Sequence, residues 1–472
     1  MKTKTDKKET KTKETVKKPP FGAGQTIECS ISGLDHEGYG LSVVDGVPLR
    51  IRGALPDELV RARINYVGRR ETFAEAVKVL RRSPVRLVKP VCDKWTTCDG
   101  CPFVLMGYQA QLNWKRVLVE SFINSYKSLR TVTVHPVIPS DKPLGYRNSA
   151  KLVAGGKFAD PIIGMYRSNT HQVTDASDCP LHHPLINRVV QVVKEGIRKG
   201  KVPVYSQRTG SGILRYLVVR VSESAGAAMV VFVTARRSFN EIHHLSKYLQ
   251  SRVPEVTVVA QNVNSSAGNV ILGQHDYFVT KEQSLCDTVG NIRFHISPRS
   301  FFQINNGGAR SIYEKVLDWS ALTGGETVVD VYCGVGGISL YLARGAKEVI
   351  GYESVDDAVA DAEKNARLNG IGNCRFEAGD AAELLHGLRE EGGKADLVVL
   401  NPPRKGCEEK VLKNAAALGP RKIIYVSCSP ETLARDLDIL AGLGYGTLEI
   451  QPVDMFPQTP HVENVALLSR KA

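Results

Sequence analysis

Between residues 326 and 429 five short apolar runs, ETVVDVYC, EVIGYE, CRFEAGD, ADLVVLNPP and KIIYVSCS, alternate with stretches of helical periodicity. Apolar runs rich in Val and Ile, each separated from the next by a helix, specify a parallel sheet with helices on both faces. This restricts residues 291–472 to an α/β Rossmann-like domain. In such sheets ligands bind beyond the carboxyl ends of the strands, so the residues that close each run are the first candidates for a site.

The first run leads into GVGG and an apolar helix, which sets Gly334, Gly336 and Gly337 at the turn where backbone must approach a ligand. The dinucleotide spacing G-x-G-x-x-G is not met, because position 339 is Ser. The adenosine of S-adenosylmethionine is the favoured occupant. Glu353 closes the second run and is placed to accept from the two ribose hydroxyls; Asp380 and Asn401 close the third and fourth.

The fifth run ends in Cys428, followed by Ser429 as N-cap, Pro430 in the first helical turn and Glu431. A cysteine at a helix N-terminus is expected to favour its thiolate. Carbon 5 of uracil takes a methyl group only after a thiolate adds at carbon 6, and its proton must then leave to a base. Glu463, at the start of an apolar final strand beside His461 and two prolines, is the candidate base, with burial expected to raise its pKa. His461 itself reads as structural.

The rest of the chain is less regular. At 472 residues two to four domains are expected. Residues 1–21 hold eight lysines among their first twenty positions and almost no apolar side chains, which reads as a disordered tail, either solubilising or tethering a polyanion. Residues 22–84 alternate apolar and polar positions between Gly and Asp turns, as expected of a small five-stranded OB-like barrel. Nine Lys/Arg against four acidic residues between Arg50 and Arg82 suit a barrel that tracks RNA, although a plain linker barrel has the same pattern. Residues 85–290 read as a central α+β domain. Its first helix would bury Leu105, Tyr108, Leu112, Val119 and Phe122. No run of about 18 apolar residues exists, and neither a signal nor a transit pattern is present, so the chain reads as cytoplasmic. Its net charge of +13 points to an anionic partner there.

Ten cysteines in a reducing compartment are thiols, metal ligands or catalysts rather than disulfides. Cys92, Cys98 and Cys101 lie together, and Cys179 in SDCPLHHP could complete four ligands for either zinc or an iron-sulfur cluster. The spacing C-x3-C-x2-C of radical enzymes is absent, which favours a staple or an RNA-contacting surface over redox chemistry. Cys29, Cys286, Cys333, Cys374 and Cys407 receive no role.

The motifs GYGLSVVDGVPLRIRGALPDE, C-x5-C-x2-C with DCPLHHP, YRNSAK, SPRSFFQIN, DVYCGVGGISL, NPPRKGC, YVSCSPETLARD and HVENVALL together resemble the RNA uracil-C5 methyltransferase family over residues 22–470. The resemblance is to its 23S ribosomal RNA branch, which carries an N-terminal TRAM barrel and a 4Fe-4S cluster. It implies Cys428 as nucleophile, Glu463 as base, and Gln303, Tyr332, Gly337, Glu353, Asp380 and Asn401 around the cofactor and base. It also implies a 4Fe-4S cluster on Cys92, Cys98, Cys101 and Cys179, and a monomer acting on 23S rRNA. Gln303 would otherwise read as a helix cap. The family usually has Asp where this chain has Asn401, which removes a charge and adds an NH₂ donor. Two alternatives stay open: a transfer RNA enzyme, disfavoured by the barrel and cysteines, and an RNA-binding assembly factor that lost catalysis through Asn401. Phe301 and Phe302 are candidates for base stacking, and Tyr146 and Arg147 for facing RNA or the pocket.

Overall fold

The computed structural model describes residues 20–471 apart from 69, 70, 168, 169, 267, 269 and 301. The lysine-rich tail up to residue 19, two arginines of the basic stretch, Arg69 and Arg70, and the stacking candidate Phe301 lie outside the described residues. The chain divides into two compact units, one ending at Val88 and the other beginning at Lys89.

The first unit is a six-stranded sheet, one strand more than expected. Its order is Thr26–Ser30, Leu59–Val67, Thr72–Arg81, Val47–Arg52, Gly40–Val44 and Gly33–Leu34. The two edge strands are separated in sequence by only Ile31 and Ser32, so the sheet curls on itself into a barrel. Its alternating inward positions Leu49, Ile51, Val60, Ala62, Ile64 and Ala74 form the core. Part of the basic stretch is neutralised internally. Arg50 lies against Asp35, Glu37 and Glu71, Arg61 against Glu28, and Arg63 against Glu75.

The second unit holds two large sheets. One has seven strands in the order Val173–Asp175, Asp160–Tyr166, Ser149–Lys157, Leu214–Ser222, Ala227–Thr234, Val256–Val263 and His275–Phe278. Helices Pro184–Gly200 and Ile242–Arg252 cover one face, burying Val189, Val193 and Leu249 against Leu217, Val219 and Val230. The other face packs against the hairpin Leu285–Val289 and Ile292–Ile296 through Leu285 and Ile296.

The second sheet has eight strands, in the order Cys374–Ala378, Glu348–Glu353, Thr327–Val331, Leu397–Leu400, Lys422–Ser427, Glu463–Arg470, Tyr445–Val453 and Thr133–Val134. The five runs read from the sequence are its five consecutive parallel strands. Residues 397–400 and 423–426 are buried on both faces, which is why they read as unbroken apolar runs. Glu463–Arg470 then inserts antiparallel beside Lys422–Ser427. This is the Rossmann-like α/β fold expected for the C-terminal part.

One boundary differs from the expectation. Thr133–Val134, assigned above to the central domain, pairs in parallel with Tyr445–Val453 in the catalytic sheet. The preceding helix Tyr108–Asn124 buries Val119 and Ile123 in the same core as Leu433, Leu437 and Leu440 of helix Pro430–Gly442. A two-residue edge strand has no periodicity to read. No helix among the described residues is long and apolar enough to cross a membrane.

Candidate active site

The carboxyl ends of the five parallel strands open on one cleft of about 1560 Å³. Gln303, Tyr332, Gly337, Glu353, Asp380, Asn401, Cys428 and Glu463 all line it. The geometry follows from sheet register. Ser427 pairs with Asn464 across an antiparallel ladder, so the next residue out on each strand, Cys428 and Glu463, faces the same opening.

The glycine turn is held by a chain of hydrogen bonds. Tyr332 has a φ of 65°, an unfavourable value for a residue with a side chain, and directs the backbone off the strand. Gly334 donates its N–H to Glu353 Oε2 at 3.1 Å. Glu353 Oε1 accepts from the N–H groups of Ser354 and Val355, which fixes the carboxylate at the strand end. A Cβ on Gly337 would stand 2.5 Å from Tyr313 Oη, so only glycine fits there. Tyr313 is itself buried and hydrogen-bonded to the side chain of Gln303. Gln303 does not cap a helix; that position belongs to Asn305, whose side chain accepts from Gly308 N–H. Asp380 caps helix Ala381–Glu390, accepting from Ala382 and Glu383, and still borders the cleft. Asn401 donates its backbone N–H to Val331 O at 3.2 Å.

Around the reacting pair, burial raises the Glu463 carboxyl to about 7, while the Arg404 guanidinium pulls it down. Cys428 corrects an expectation. Ser429 caps the following helix as foreseen, accepting from Thr432 N–H at 3.4 Å. The Cys428 thiol is nevertheless raised rather than lowered, because desolvation and the Glu463 charge outweigh the hydrogen bond and charge of Arg404. Burial therefore favours the protonated thiol. Arg404, in NPPRKGC, is the important residue that sequence reasoning left without a role; its place directly after the strand-end Asn-Pro-Pro was the available signal.

Two further side chains differ from expectation, and Phe302 keeps both of the roles open to it. His461 lines the cleft rather than serving only the interior, and burial with the nearby Arg404 lowers it to about 4. Its ring meets Phe456 edge-on at 6.1 Å. Tyr146 is buried, donating its hydroxyl to Pro457 O, and lies outside the cleft lining. Phe302 lines the cleft while packing on Phe294 at 5.5 Å.

Cys92, Cys98, Cys101 and Cys179 share one neighbourhood. Cys92, Cys101 and Cys179 each respond to the charge of Cys98, and Cys101 also to Cys179. Burial and this mutual repulsion push the Cys101 thiol up to about 12, with Arg147 acting in the opposite sense on Cys101 and Cys179. Among the described residues, however, no three Cys, His, Asp or Glu side chains converge closely enough to ligate a single metal ion. The expected metal site is thus a grouping of thiols and not a formed ion site.

Comparison with known proteins decides the family. Residues 108–471 match the model of the tRNA (uracil-5-)-methyltransferases. The chain belongs to this family. It is an S-adenosylmethionine-dependent RNA uracil-5-methyltransferase. An RNA methyltransferase of Geobacter sulfurreducens is 62% identical over 453 residues, spanning 96% of this chain and 92% of the relative. One from Halalkalibacterium halodurans is 38% identical, spanning 96% and 98%. Among solved structures, the Pyrococcus abyssi tRNA (uracil-54, C5)-methyltransferase in complex with S-adenosyl-L-homocysteine superposes with a TM-score of 0.75 at 28% identity. The match covers 94% of this chain and all of the archaeal one. The uncovered 6% is shorter than the barrel.

Proposed function

We propose that this methyltransferase converts a specific uridine of 23S rRNA to 5-methyluridine, with Cys428 as nucleophile and Glu463 as base. The observation that carries the mechanism is the register pairing of Ser427 with Asn464, which sets Cys428 and Glu463 side by side in the cleft that Gln303, Tyr332, Gly337, Glu353, Asp380 and Asn401 also line. Those six residues hold S-adenosylmethionine, which when bound supplies the methyl group.

The Cys428 thiol first gives its proton to water, and the adjacent Arg404 cation steadies the thiolate that remains. Cys428 Sγ then forms a bond to carbon 6 of uracil, and the displaced electron pair makes carbon 5 nucleophilic. Carbon 5 takes the methyl group, leaving S-adenosylhomocysteine. Glu463, whose carboxyl burial raises to about 7 against the opposing Arg404 charge, removes the carbon-5 proton in its deprotonated form. The electrons re-form the carbon 5–carbon 6 double bond and expel Cys428 as thiolate. Asn401 offers the base or cofactor both a donor and an acceptor without adding a second carboxylate beside Glu463.

The buried uracil edge is out of reach in a stacked helix, so the target base is flipped or already unstacked. The barrel, a TRAM module in this reading, tracks the flanking RNA. The enzyme works in the cytoplasm as a monomer, since one chain supplies every proposed catalytic group. Cys92, Cys98, Cys101 and Cys179 hold a 4Fe-4S cluster. Four thiols that perturb one another, beside the Arg147 cation, suit a cluster whose corner irons keep the sulfurs farther apart than one ion would. Anaerobically purified protein should be brown with about four irons per chain, and a colourless, iron-free protein would remove the cluster.

A transfer RNA substrate is the second reading, favoured by the full-length match to the Pyrococcus abyssi enzyme. Mass spectrometry of 5-methyluridine in 23S rRNA and tRNA, from cells with and without the gene, separates the two. Loss from 23S rRNA supports the first reading, and loss from tRNA alone replaces it with the second.

A further inference from the structure

Beside the cleft, two cations stand without an acidic partner among the described residues. Arg220 lies on strand Leu214–Ser222 and is 6% exposed. Its Nη2 donates to Pro298 O at 3.2 Å, and its Nε is buried with no hydrogen-bond partner. Lys151 lies on the neighbouring strand Ser149–Lys157 and is exposed. Arg220 pairs with Ser149 and Val218 with Lys151, so the two cations are diagonal neighbours on one face of the sheet. Among the described residues neither has a carboxylate within ion-pair distance, whereas Lys142 and Arg299 are both matched by acidic side chains.

A guanidinium removed from water with a single carbonyl partner is costly, and a second cation beside it adds to the cost. Burial lowers Arg220 to about 10, and Lys151, although solvent reaches it, is lowered by the desolvation its neighbours impose and by the Arg220 charge. An anion between them would relieve both. Their position names its source. Pro298, whose carbonyl Arg220 holds, lines the active-site cleft together with Arg299, Ser300 and Phe302. An RNA strand that enters that cleft carries a phosphate on either side of its uridine, and this wall is where Arg220 meets the cleft.

We propose that Arg220 and Lys151 form a phosphate subsite that grips the RNA backbone next to the target uridine. The subsite rests on RNA being the substrate, and it would act for ribosomal and transfer RNA alike. Phosphate contacts of this kind position the chain without reading its sequence. By fixing the backbone beside the flipped base, they set the depth at which uracil meets Cys428.

The test is the salt dependence of binding to a fluorescent hairpin RNA with uridines in its loop, measured by anisotropy on the full chain. For single-stranded RNA, the slope of log affinity against log salt falls by about 0.7 for each phosphate that the protein ceases to neutralise. Lys151→Gln and Arg220→Gln should each reduce the slope by that amount, the double variant by about twice as much, and Lys151→Arg should retain it. Lys151 is exposed, so its variants report even if Arg220→Gln fails to fold. A slope unchanged in Lys151→Gln, or a slope that falls equally in Lys151→Arg, would overturn the subsite. A wild-type chain that does not bind the hairpin would overturn both the subsite and RNA as the substrate.

Discussion

Lys115→Met is the perturbation whose cost the structure defines best. Lys115 Nζ lies 2.5 Å from Asp454 Oδ1 and 3.0 Å from Phe456 O, and both charged side chains have zero exposure. Removing the lysine strands a carboxylate in the interior, which costs about 3–5 kcal/mol when a buried pair is broken on one side. Replacing both partners by apolar residues restores most of that stability, because neither charge then has to be desolvated. The assay is urea unfolding at pH 7 followed by tryptophan fluorescence. All three tryptophans, Trp95, Trp114 and Trp319, lie beyond Val88, so the signal reports the second unit without the barrel. Trp114 adjoins Lys115 and meets Phe103 edge-on at 4.8 Å. The expected order of stability is wild type, then Lys115→Met/Asp454→Leu, then Lys115→Met. A decrease below about 1 kcal/mol for the single variant, or a double variant as unstable as the single, would refute the reasoning. Activity should fall as well, since Asp454 and Phe456 anchor the segment that leads to His461 and Glu463.

Arg404→Gln removes the cation that lowers both Cys428 and Glu463, so the acid limb of the pH–rate profile should move to higher pH; an unmoved limb would take Arg404 out of the site. Because the native Glu463 holds its proton to about pH 7, well above an unfolded carboxyl, stability should decline as pH rises from about 4.5 toward 7. Glu463→Gln should flatten that decline and leave the variant more stable than wild type at about pH 8, measured by unfolding at both ends of the range. Gly337→Ala drives a methyl group against the buried Tyr313 ring, and overpacking of this kind costs about 1–3 kcal/mol, so S-adenosylmethionine affinity by calorimetry should fall roughly 5- to 150-fold.

What the sequence made legible was what depends on local pattern. Val328–Val331 and Leu397–Leu400 announce a parallel sheet because both faces of those strands are buried, and the residue closing each strand follows at once. Cys428 and Glu463 were legible as individual candidates, but their adjacency comes from a non-local pairing of Ser427 with Asn464 that no spacing encodes. The Cys428 thiol was misjudged for the same reason. Its capped helix is local and was read correctly, whereas the burial and the Glu463 carboxylate that reverse its pKa arrive only with the fold. Lys115 and Asp454 stand 339 residues apart, so no local pattern links them. Gly33–Leu34 and Thr133–Val134, two residues each, were invisible because a strand that short has no alternation.

The central claim, a Cys428 adduct resolved by Glu463, is tested most directly by Glu463→Gln incubated with S-adenosylmethionine and substrate RNA, then analysed by denaturing electrophoresis and intact mass. Without the base, the methylated uracil keeps its carbon-5 proton and cannot release the enzyme. The account predicts a covalent protein–RNA species carrying one added methyl group, absent from Cys428→Ala/Glu463→Gln. Free 5-methyluridine formed by Glu463→Gln at the wild-type rate, or an adduct that survives removal of Cys428, would contradict it.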